Sequence, residues 1–170
     1  MSETPDWLLT ISYWLHMIAT VGWVGSQAMV SLVVLPLSHK NHSKRNHLKL
    51  LTTINKRMSS YGWIGLTALI ATGLVQLSAN ENYTGLVSID SDWALAMLLK
   101  HITFIGILAL SAYQTWSLTP AIERTILLQL KGKPNPEEQE ALQKREEWIL
   151  RGNVILSGVV LLLTAIARIS

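Results

Sequence analysis

Cysteine is absent from the 170-residue sequence, which excludes disulfides, thiolate-held iron–sulfur clusters and covalently attached c-type haem. Charge is absent just as completely from long stretches. No Asp, Glu, Lys or Arg occurs from Trp7 to His39 or from Met58 to Asn80. Trp93 to Leu118 is interrupted only by Lys100, and Ile149 to Ile169 only by Arg151 and Arg168, placed where long side chains can reach headgroups. Each run is long enough to cross the ~30 Å hydrocarbon core as a helix. None holds a carboxylate, which argues against a buried Asp/Glu proton relay. No internal repeat or low-complexity tract stands out.

What is present follows from that pattern. The expected fold is all-α, an integral membrane four-helix bundle in one domain, 1–170, with spans at about 7–37, 58–79, 93–118 and 149–169. Lys40, Lys44, Arg45, Lys49, Lys56 and Arg57 crowd the first loop, which has no acidic residue, whereas the second holds Glu81, Asp90 and Asp92 and no basic one. The third loop again carries Arg124, Lys131, Lys133, Lys144 and Arg145. The bias of basic residues toward the cytoplasm therefore predicts an up-down-up-down bundle with both termini outside, in a cell inner membrane. The start lacks a basic segment and its apolar run is too long for a cleaved signal, so Met1 is expected to remain. The net charge of +3 is a topological asymmetry beside anionic lipid, and nucleic acid is not implied.

The loops carry local signals of their own. Asn135, Pro136, Glu137 and Glu138 read as a helix cap, a first-turn proline and an acidic first turn, with Glu140/Lys144 and Glu147/Arg151 at i,i+4 spacing. The fourth helix should start there, well before the membrane. Pro120 should kink or end the third helix, with Ala121 to Leu130 as a helical extension.

The chemistry concentrates on two histidines in apolar sequence. His16 lies nine residues past Trp7 and His101 eight past Trp93, which puts them roughly 13 and 12 Å deep in their helices. In an up-down bundle the first and third helices are diagonal, roughly 13 Å apart. Two neutral imidazoles across that gap suit a haem iron, and the reading favoured by the residues is a haem b held by His16 and His101 for electron transfer or redox chemistry. Lys100 and Arg168, near the outer side, could pair with its propionates, and Gly106, Ala109 and Ala112 offer room for a flat ring. Met97 is four residues before His101, so Cu(I) bound by His16, His101 and Met97 is the alternative, with copper transport or uptake as its function. A cofactor-free assembly subunit is the third: each histidine could simply hydrogen-bond a hydroxyl such as Thr67, Thr72 or Thr103. Met17 follows His16 directly and points elsewhere. His39, His42 and His47 are interleaved with lysine and arginine and read as a solvated loop. Whether the chain is an enzyme, such as a membrane oxidoreductase, stays open. Its expected partners are the lipid bilayer and either an electron-transfer protein or a metallochaperone.

The run Tyr13-Trp-Leu-His-Met-Ile-Ala, followed by Trp23-Val-Gly, resembles the opening helix of CopD-type copper resistance membrane proteins, which are in turn similar to HemJ-type protoporphyrinogen oxidases. Arg57 with the pair Thr72-Gly73, Leu99-Lys100-His101, and Ala112-Tyr113 through Thr119-Pro120 extend the likeness over nearly all four helices. The resemblance implies a four-helix inner-membrane protein tied to copper handling, or to haem b and porphyrin oxidation. It carries family ligands onto His16 and His101, with Lys100 as companion. Ser157 stands where many relatives carry a membrane-embedded acidic residue, and Ser26 where a second glycine often follows Trp-Val-Gly.

Overall fold

A computed structural model describes residues 5–36, 44–83, 85, 87, 89–133 and 135–169, without side chains at 44–52 and 54–58. The loop histidines His39 and His42, and the side chain of His47, lie outside the described residues. Every described element is helical. In chain order these are α1 (Asp6–Met29), continued by a π-helical segment Val30–Val34; α2 (Lys44–Ser78); α3 (Asp92–Tyr113), continued by a second π segment Gln114–Leu118; α4 (Thr119–Leu130); and α5 (Pro136–Ile169). Four of the resulting helices are long and apolar enough to cross a membrane: Asp6–Val34, Ser59–Ser78, Asp92–Leu130 and Pro136–Ile169. Their outward faces carry Trp14, Met17, Val21, Ile105, Trp116 and Ile155, all exposed. In water such a surface would aggregate; in lipid it is the surface the bilayer requires.

Both π segments have a local cause. A proline ring inside a helix removes an N–H and collides with the carbonyl four residues earlier. Pro36 and Pro120 each sit two residues beyond a π segment, and the widened turn reroutes the bonds there. Leu35 N–H donates to Val30 O, and Thr119 donates both its N–H and its hydroxyl to Gln114 O, the latter at 2.9 Å. Pro120 therefore bends the third helix without ending it, and α4 follows as the expected extension. The start of α5 is also as the sequence indicates. Asn135 Oδ1 accepts the Glu138 N–H at 3.3 Å, and Lys144 pairs with Glu140 at 3.0 Å on an exposed face.

The helices assemble as two antiparallel hairpins. In the first, Trp23 of α1 lies against Gly62 and Gly65 of α2, while Ser12 and His16 meet Thr72. In the second, Gly106 and Leu110 of α3 meet Leu156 and Gly152 of α5. The glycines matter because a backbone without Cβ lets the facing side chain approach closely; a Cβ on Gly152 would stand 3.4 Å from Leu110. The hairpins join through α1 on α5 and α4 on α2, and α1 and α3 are not a principal packing pair. Three apolar layers run along the bundle. Leu77, Trp93, Ala94, Ala96 and Ala167 fill the end away from the basic loops, called the outer end below. Trp23, Leu66 and Ile107 fill the middle, and Leu118, Ile122, Leu142 and Ile149 the basic-loop end.

Candidate metal centre

His16 is half-buried at the α1–α2 seam, and its ring is tied across that seam. Nδ1 lies 2.8 Å from Thr72 Oγ1, and Thr72 spends its only hydroxyl hydrogen on Ala68 O one turn back. Thr72 must therefore accept, so His16 Nδ1 carries the proton and Nε2 keeps its lone pair. Two further bonds fasten the same crossing: Ser12 Oγ donates to Thr72 O at 3.0 Å, and Gln76 Nε2 to Ser12 O at 3.2 Å. Gly73 supplies the room, since a Cβ there would stand 3.6 Å from His16 Cε1.

His101 reaches the same state by a different route. Its Nδ1 lies 2.6 Å from the carbonyl oxygen of Met97, four residues earlier on its own helix. A carbonyl can only accept, so Nδ1 again holds the proton and Nε2 is left for a ligand. A ring nitrogen pinned to a backbone carbonyl or a hydroxyl, with the other free, is the arrangement that orients metal-bound imidazoles.

The remaining residues singled out by sequence are placed unevenly around this pair. Lys100 is half-buried and forms no ion pair with a described residue. Arg168 is exposed on the last turn of α5, likewise without an ion pair among described residues. Met97 lends its carbonyl to His101, but its side chain packs on Leu77, Trp93, Ala94, Ala96 and Ala167. The hydroxyl that sequence reasoning offered as a simple hydrogen-bond partner, Thr72, is indeed the partner of His16. Thr103 instead bonds Leu99 O of its own helix. Ser157 is buried and donates to Asn153 O at 2.6 Å.

Sequence reasoning missed Ser12 and Gln76. The signal was there, since Ser12 precedes His16 by one helical turn and Gln76 follows Thr72 by one, which puts each on its neighbour's face. Among the described residues no three of His, Cys, Asp or Glu gather into a metal-holding group. Chemically, the arrangement offers two neutral imidazole nitrogens in a low-dielectric bundle, a donor set that suits copper and is sparing in coordination number.

The sequence model of one protein family, described as CopD, copper resistance protein D, matches residues 52–167. No curated protein and no solved structure matches the chain.

Proposed function

The chain belongs to the CopD family of copper resistance proteins, and from that premise we propose that this multi-pass membrane protein moves copper through the bilayer by way of His16 and His101. The observation that carries the reading is the state of the two rings: each has Nδ1–H fixed in a hydrogen bond and Nε2 free, in membrane-spanning helices of different hairpins. Cu(I) accepts few ligands and favours imidazole and thioether donors. Met97 joins the site if its side chain turns from the outer apolar layer toward His101. The membrane is the inner one and both termini face out, following the basic loops. A soft-donor metallochaperone is the natural partner on either side.

Cysteines placed singly at Ser43 and Ser88, in an otherwise cysteine-free chain, test the orientation. Impermeant reagents should label Ser88→Cys from outside and Ser43→Cys from inside; same-side labelling would overturn the four-span topology.

Haem b between the same rings is the second reading; it would require space between α1 and α3, which are not a principal packing pair. Against it, the cavity between α1, α2 and the third helix is lined by other residues, nearer the basic loops, and a shallow one near Tyr83 includes neither histidine. The family points to copper, so electron transfer and porphyrin oxidation draw no support from it. The absorption spectrum of the purified protein, with metal analysis of the same sample, decides. Stoichiometric copper without a Soret band supports the copper reading. A low-spin haem spectrum lost in His16→Ala and His101→Ala reverses the order. Neither group, under copper-replete expression, leaves the assembly subunit.

A further inference from the structure

We propose that the cavity at the basic-loop end is a water-filled inner vestibule of the copper route, separated from the histidine level by a plug in which Trp23 is the moving part. This rests on the copper reading only for what passes through it. The cavity, about 360 Å³, lies between α1, α2 and the third helix. Its apolar wall is Trp23, Trp63 and Leu66, and its polar wall includes Gln27, Ser111 and Gln114.

Those polar groups are unspent. Ser111 Oγ is buried and has no hydrogen-bond partner, and the amides of Gln27 and Gln114 bond to no described residue. In hydrocarbon such groups are costly unless something bonds them. The cavity is polar and roomy enough for several waters, each of which needs two to four polar partners. Both π segments border it, through Val30 on α1 and Gln114 and Thr115 on the third helix. Widened turns of this kind recur at functional sites.

The vestibule does not reach the histidines. Trp23 and Leu66 form its wall and, with Ile107, fill the middle apolar layer. Trp23 lies seven residues from His16 and Ile107 six from His101, a dry gap of roughly 10 Å. Copper resting on imidazole nitrogens must cross that gap to reach the vestibule, whose hydroxyls, amides and Glu123 carboxylate are hard oxygen donors that hold a soft ion weakly and so release it. The Trp23 indole is the member of the plug that faces glycine. It lies against Gly62 and Gly65, where a Cβ would stand 3.7 to 3.9 Å from it.

The test uses single cysteines in the full chain, in membrane vesicles of both orientations, with a charged, membrane-impermeant methanethiosulfonate. Ser111→Cys and Gln114→Cys should react at least tenfold faster from the basic-loop side than from the other. Val21→Cys, on the lipid-facing surface, should not react from either. Adding Trp23→Ala should bring the two-sided rates of Ser111→Cys within about threefold, while Trp23→Phe should keep the asymmetry. No reaction of Ser111→Cys and Gln114→Cys from either side would show the cavity to be dry and overturn the vestibule. Equal reaction with Trp23 in place, or undiminished asymmetry in a folded Trp23→Ala protein, would overturn the plug. If Trp23→Ala fails to fold, Gly65→Leu, which pushes the indole off its track, must raise far-side labelling or the plug falls. Copper content is measured separately. One-sided labelling in a protein that takes no copper sinks the copper reading and leaves the vestibule standing.

Discussion

The two hairpins share a pattern and differ in how they hold its centre. Each opens on an Asp-Trp pair, Asp6-Trp7 or Asp92-Trp93, places a histidine eight or nine residues past the tryptophan, and reaches a proline after a π-helical turn. In the first hairpin the histidine is held by the partner helix, through Thr72, with Ser12 and Gln76 reinforcing the crossing. In the second the histidine is held by its own backbone, through Met97 O. The lesson is that the His101 ring is oriented by helix geometry alone, whereas the His16 ring is oriented only while α1 and α2 stay in register. One orientation is local and permanent, and the other depends on tertiary contact.

Removing either ring should erase the comparison altogether. His16→Ala and His101→Ala are each expected to weaken copper binding by on the order of 100-fold or more, measured by competition with a chromogenic Cu(I) chelator, because losing a ligand exceeds the loss seen on removing a ligand's support. His42→Ala should leave the affinity unchanged.

The supports come next, and here the hairpins should part. Thr72→Val removes the acceptor for His16 and should cost about 10-fold in copper affinity. It should also cost about 0.6 kcal/mol of stability, the average for a polar contact between membrane helices, read from unfolding in mixed micelles. Gly73→Leu should displace the ring and match that affinity loss, while Gly73→Ala, whose Cβ meets His16 at 3.6 Å, should be tolerated. Thr103→Val, which touches no histidine, is the counterpart in the second hairpin and should leave affinity unaltered. Equal losses from Thr72→Val and Thr103→Val would break the proposed asymmetry.

Lys100 sharpens the choice of ligand. It adjoins His101 and forms no ion pair with a described residue, so its charge opposes a bound cation and would favour a bound anion. Lys100→Gln should therefore tighten copper binding several-fold. If haem occupies the site, the same change should loosen it, because a propionate loses its partner. The smallest effect is expected far from both rings. Lys144 and Glu140 are 74% and 51% exposed, so Glu140→Gln should cost only about 0.3 kcal/mol of stability and nothing in copper affinity.

Much of the fold was legible in the sequence because the bilayer imposes a simple rule. Uncharged runs of sufficient length must be helices, since no other open structure satisfies its backbone in lipid. The start of α5 at Pro136 followed from a cap, a proline and charge spacing that act within one or two turns. The site was legible in part. His16 and His101 stood out as the histidines in apolar sequence, and Thr72 as a hydroxyl within reach. The different way each ring is held was not, because it depends on what docks against the helix: Ser12 and Met97, each one turn ahead of its histidine, share no side-chain chemistry.

The sequence by itself determined which segments enter the membrane, where prolines distort the helices, and which side chains are chemically able to bind a soft metal. These depend on composition and on neighbours within about one turn. The tertiary structure alone decided which nitrogen of His16 is free, since that turns on a hydroxyl fifty-six residues away whose own hydrogen is already committed. It also decided that the Met97 side chain joins an apolar layer and that Ser111, Gln114 and Gln27 surround one cavity. A helix fixes the angular position of its residues but not the identity of what faces them, and only the docking of one helix on another supplies that.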